Sequence, residues 1–186
     1  MRKVRLTARP VRWLVVGALA GAATLLSGCA GTPGAAAVVN GDVISSEDVR
    51  VAVEQLGALY DEVNTVNVTT VLIQEPILTQ VATEHGIGVS EKETVDLLNT
   101  RATQAGVDPL DEYAPSTLAV ARYALTNSKM QDADDADDLS TEVATRITDA
   151  DIDVNPRFGE YDPETLQLTA PSAPAWIFVP AASVAE

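Results

Sequence analysis

The chain has 186 residues, 46% of them hydrophobic and 21% charged, which suits one domain with a well-sized core and lies outside the range of a wholly disordered chain. Its formal charge of −15 is unevenly spread: residues 1–28 hold five bases and no acid, while residues 29–186 hold seven bases against 27 acids, a formal −20. A phosphate-backbone binder needs a basic face, so nucleic acid is excluded as a partner, and a single cysteine with a single histidine excludes a disulfide framework and a multi-Cys/His zinc site.

The N-terminus carries the most specific signal. Arg2, Lys3, Arg5, Arg9 and Arg12 precede an apolar run from Trp13 to Leu26. Fourteen residues are short for a membrane span, which needs ~20, but suit the core of a signal peptide. The run closes on Leu26-Ser27-Gly28-Cys29, which resembles the bacterial lipobox. That resemblance implies a diacylglyceryl group on the Cys29 thiol, cleavage after Gly28 and a lipidated new N-terminus at the extracytoplasmic face of the cell membrane. Two or three acyl chains anchor stably where one is marginal. The twin-arginine dipeptide is absent, so general secretory export is expected. Residues 29–36, small and proline-containing, read as a flexible tether.

Beyond the tether the pattern predicts a mainly α domain over residues 37–162. Ala37-Val38-Val39 is a short apolar run ended by the turn dipeptide Asn40-Gly41. Val43-Ile44 follows, and Ser45 with Asp48 forms a capping-box pattern. Val49, Val53, Leu56 and Tyr60 recur at helical spacing, predicting a first helix over 46–63. A second, over 66–84, turns Val68, Leu72, Ile73, Ile77, Leu78, Val81 and Ala82 inward, with Pro76 expected to kink it or mark its first turn. Ser90 and Glu93 box the start of a third, which carries Val95, Leu98 and Ala102 to a stop at Gly106. A fourth spans about 116–131 with Leu118, Ala121, Ala124 and Leu125 as its stripe, and a fifth about 139–149 with Leu139, Val143 and Ile147. Ile152 and Val154 then alternate with polar residues, and Asn155-Pro156-Arg157-Phe158-Gly159 closes a strand with a turn.

Val38-Val39-Asn40-Gly41-Asp42-Val43-Ile44, followed at once by Ser-x-x-Asp and a helix, resembles the opening of the SurA-type chaperone N-terminal domain, shared with PrsA-like extracytoplasmic foldases. Ala82-x-x-x-Gly86-Ile87-x-Val89-Ser90-x-x-Glu93 is similar to the segment where that domain leaves its long helix. Ile152 to Asp162, with Asn155-Pro156-Arg157-Phe158-Gly159 inside, is similar to the ending of short actinobacterial lipoproteins built on this domain. The resemblance covers about 37–162. It implies a helical, bundle-like body whose N-terminal strand pairs with the late Asn-Pro-Arg strand in a small two-stranded sheet. Isomerase members insert a parvulin domain of about a hundred residues and use paired histidines. Here 27 residues follow Gly159 and His85 stands alone, so isomerase activity is not carried over.

No other chemistry is expected. His85, just before Gly86, sits where an imidazole caps a helix C-terminus. Gly-x-Ser-x-Gly, phosphate-loop and His-Glu-x-x-His patterns are absent, so no catalytic residue, cofactor or metal is assigned. The run Asp132 to Asp138 invites calcium, but an EF-hand loop would need Gly at the sixth position and Glu at the twelfth, where Asp137 and Val143 stand. It reads as a solvated linker serving the next helix, with weak Ca²⁺ binding left open. In the tail, residues 163–186, Leu166 to Thr169 is a candidate strand, and Trp176-Ile177-Phe178-Val179 lies between prolines. Such a cluster needs a docking place: it either joins the core or occupies a client groove.

Two function classes follow. One is a membrane-anchored, chaperone-like module that binds unfolded or extended exported polypeptides without being an enzyme. The other is an adaptor lipoprotein holding one specific envelope partner. Crosslinking in envelope extract separates them by the number of proteins captured.

Overall fold

The computed structural model describes residues 32–171. Leu26, Ser27, Gly28, Cys29 and the segment Trp176 to Val179 therefore lie outside the described residues. Among the described residues, five α-helices and five short strands make a mainly helical domain with small antiparallel sheets.

Strands β1 (Ala35–Val39) and β2 (Asp42–Ser45) pair antiparallel across Asn40 and Gly41. Both turn residues have positive φ, 51° and 92°, the conformation that a two-residue hairpin demands and that Asn-Gly supplies. Ala35 and Ala36, expected at the end of a tether, are instead strand residues and almost fully buried. The expected two-stranded sheet is three-stranded. The pairing of the chain's two ends is present, with Ala37 opposite Val154 and Val39 opposite Ile152 in β3 (Ile152–Val154), and β2 adds the third strand in the order β2-β1-β3. The Asn-Gly turn leaves β2 no other place than beside β1.

Helix α1 (Ser46–Gly57) opens on a complete capping box, with Asp48 N–H donating to Ser45 Oγ at 3.0 Å and Ser45 N–H to Asp48 at 3.0 Å. It ends at Gly57, short of the expected residue 63. The chain must then turn, because Asn64 caps the next helix by accepting from Asn67 N–H at 2.9 Å. Helix α2 (Thr65–Glu84) runs through Pro76, which is exposed on the outer side and is not in the first turn. Helix α3 (Glu91–Ala105) has the Ser90–Glu93 box and ends at Gly106, whose φ of 73° makes it a left-handed stop.

Helix α4 (Pro115–Gln131) has no side-chain cap of its own. Gln55 of α1 supplies one, its Oε1 accepting from Ala114 N–H at 3.0 Å and from Thr117 Oγ1 at 2.6 Å. Helix α5 (Ala136–Asp149) starts three residues earlier than expected, with Asp137 and Asp138 in its first turn, where carboxylates oppose the positive end of the helix dipole. Strands β4 (Glu160–Asp162) and β5 (Gln167–Thr169) form a second hairpin. It is tied to α2 by Gln74 Nε2 donating to Leu166 O at 2.6 Å.

The core divides into two clusters, and α2 lies between them. Ile73, Ile77 and Val81 pack with Leu139, Val143 and Ile147 of α5, and Val68 and Leu72 pack with Val49, Ala52 and Leu56 of α1 and Leu98 of α3. A helix that faces two cores is apolar over most of its girth, which explains the breadth of its buried set. Strand β1 is shared in the same way. Successive strand residues face opposite sides, so Ala37 joins the first cluster and Ala36 the second.

Candidate binding groove

Four residues of the expected buried stripes are neither fully buried nor packed against the two core clusters: Val95 and Leu125 are half-buried, and Tyr60 and Ala124 are exposed. The two exposed ones, Tyr60 and Ala124, line one groove. Because α1 stops at Gly57, residues 58–63 arch across a gap instead of continuing the helix. The gap is floored by Val68 and Val71 of α2 and walled by Val120, Ala121 and Ala124 of α4, with Tyr60 and Val63 on the arch. Small side chains at 121 and 124 leave room for about 650 Å³. Asp61, Glu62 and Asn67 supply a polar, acidic rim. Tyr60 is 38% exposed, and Arg101 of α3 lies over its ring at 5.6 Å, a cation–π contact that braces the arch. An apolar floor with few polar groups at the rim binds by burial and not by a fixed pattern of hydrogen bonds.

The polar clusters elsewhere link helices to one another. His85 is the C-cap of α2. Its Nε2 is 3.0 Å from Glu142 Oε2 and its Nδ1 is 3.9 Å from Asp135 Oδ2, so the ring faces carboxylates of the α5 segment and not a hydroxyl to activate. Arg146 of α5 donates to both Glu84 and Glu142. That hydrogen bond, with help from Gln80, draws the Glu84 carboxyl down to about 2. Glu75, on the buried side of α2, accepts from Arg122 Nε at 2.6 Å and from Thr79 Oγ1 at 2.9 Å, a clamp between α2 and α4. Lys129 of α4 reaches Glu93 at 2.7 Å and Gly88 O at 2.9 Å. Its hydrogen bond, then those from the Ser90 backbone and hydroxyl, lower the Glu93 carboxyl to about 2.

Asp134, Asp135, Asp137 and Asp138 do not converge, and among the described residues no three His, Cys, Asp or Glu side chains gather as a metal site. Among the same residues no helix is long and apolar enough to cross a membrane. A second cavity, about 720 Å³, opens between the end of α5, the outer side of β3 and the β4–β5 hairpin.

The groove was partly hidden in the sequence. Of its floor residues the sequence pattern puts Val68 in the core and gives Val71 no place, and the signal that α1 stops early is Gly57 with Asn64 placed to cap α2. In comparisons with known proteins, the chain matches no family model, no curated protein and no solved structure.

Proposed function

We propose that the chain is an extracytoplasmic, lipid-anchored module that receives unfolded or extended exported polypeptides in the groove between α1, α2 and α4. It acts by binding and carries no prolyl isomerase activity. The observation that carries this reading is the groove itself, apolar at its floor, where core side chains such as Val68 and Ala121 meet the exposed Tyr60 and Ala124. The resemblance of residues 37–162 to the SurA-type domain supports it from the sequence side. An acidic rim and a formal −20 over residues 29–186 favour neutral or basic clients, a preference that weakens with salt as charges are screened within ~8 Å at 0.15 M.

The test is suppression of aggregation of several unfolded proteins. Residues 29–186 are expected to slow it, and Ala124→Arg, which fills the groove from an exposed helix position, is expected to abolish most of the effect while circular dichroism stays unchanged. Equal suppression by Ala124→Arg would move the binding face elsewhere. No suppression by either chain, with one stoichiometric partner crosslinked in envelope extract, would replace this reading by the adaptor. Anchoring has its own readout. The membrane-extracted protein is expected to begin at Cys29 with added lipid mass, and Cys29→Ala to lose that mass. A mature species starting at Ala30 or later without lipid would overturn it.

A further inference from the structure

We infer that the groove between α1, α2 and α4 selects extended segments in which an apolar stretch adjoins Lys or Arg, and that Asp61 and Glu62 receive the cation. The inference rests on the reading of this groove as a client site and adds what a client must carry. It places the charge preference in two residues of the arch and not in the −20 spread over residues 29–186.

The floor decides half of the class. Val68, Val71, Val120, Ala121 and Ala124 present branched and small apolar surface, which rewards the burial of apolar side chains whatever their order. An extended ligand also brings a backbone donor and acceptor at each residue. Asn67 stands at the rim to meet one pair of them. Its backbone N–H is taken by the Asn64 cap, but its side chain is exposed and holds no partner among the described residues. That amide offers one group of each kind.

The rim decides the other half. Elsewhere in the domain, bases are held by carboxylates: Arg50 by Glu47 and Glu54, Arg122 by Glu75, Lys129 by Glu93. Asp61 and Glu62 hold no base among the described residues. Arg101 shares a recess with Asp61, yet it lies over the Tyr60 ring and donates to Gln104 at 3.1 Å. Both carboxylates are exposed, so a cation reaches them with little desolvation cost. Two adjacent carboxylates beside an apolar floor attract positive charge and repel negative. Lys and Arg suit the place doubly, because their stems lie along apolar surface while the charged head stays at the water's edge. A second copy of this chain is a poor occupant, since like charge opposes its approach.

Two labelled peptides test the inference on the full chain held in uncharged phosphatidylcholine nanodiscs, with fluorescence anisotropy as the readout and empty discs as the blank. They share a centre of Val, Leu and Ala and carry paired lysines or paired glutamates at both ends. At low salt the lysine peptide is expected to bind about tenfold more tightly than the glutamate peptide. Asp61→Lys/Glu62→Lys should reverse that order. Asp134→Lys/Asp153→Lys, which makes the same change in net charge at exposed acids outside the groove, should preserve it. Ala124→Trp fills the groove without adding charge and should weaken both peptides. If Ala124→Trp weakens them but the two bind alike, or both charge variants shift the order equally, the groove remains a client site and this inference is overturned. If Ala124→Trp changes nothing, or neither peptide binds, the client reading is overturned with it. A dimer that Ala124→Trp dissociates would give the groove to a second copy, and peptide binding seen only after removal of residues 172–186 would give it to the chain's own end; either result overturns the assignment.

Discussion

Arg122 and Glu75 show how one side chain decides the cost of another. Glu75 is 7% exposed in the middle of α2, and a carboxylate so placed is stable only while paired. Arg122→Met is expected to destabilise the domain by about 3 kcal/mol in urea unfolding, and Glu75→Leu added to it should recover most of the loss. A null effect of the single change would show that water already reaches the carboxylate. Glu93 and Glu84 act through protonation. Their folded values lie near 2, below the usual 4.5. For a depressed carboxyl the stabilisation is fully present above the unfolded value and is lost as pH falls through the folded one. The melting temperature should therefore drop between about pH 4.5 and 2, and Glu93→Gln should flatten part of that drop. A variant with an unchanged pH profile would remove the Lys129–Glu93 link from the account.

At the scale of elements, what was legible had a local cause. The start of α3 and its stop rest on Ser90, Glu93 and Gly106, each acting on its own backbone, and those ends fall where the residues put them. The inward stripe of α5, Leu139, Val143 and Ile147, is buried as its spacing indicates. What was not legible depends on partners remote in sequence. The start of α4 falls within one residue of its expected place, but the cap it uses does not show in the local sequence: Gln55, 59 positions before Ala114, supplies it. Thr117 and Thr126 are fully buried on α4, where the pattern predicts apolar residues. β2 has no strand signal of its own beyond the Asn40-Gly41 hairpin turn, because Asp42 and Val43 are exposed and show no apolar alternation. The groove is legible only in the early stop of α1 at Gly57, because it is a space between elements, and Tyr60 and Ala124 carry no sign of what stands opposite them.

For the whole molecule, β1 is the piece on which both cores depend. It contributes Ala36 to one cluster and Ala37 and Val39 to the other, and β3 holds its outer side. A chain ending at Asp151 lacks β3 and the Asn155 side chain that donates to Ala35 O at 3.0 Å. It is expected to melt well below the full chain, with helical and aromatic signals lost together in one transition. An unchanged melting temperature would show that the helices stand without the closure. The Ala35–Asn155 contact joins positions 120 apart in the chain, and so it sets a schedule. Any chain that emerges N-terminus first, from a ribosome or through a membrane pore, presents β1 at the outset and its partner strand near the end. Closing so long a loop is slow and is rewarded only once the intervening helices are in place. The growing chain therefore has no finished fold to commit to until residue 155 has appeared, and it remains threadable for most of its length.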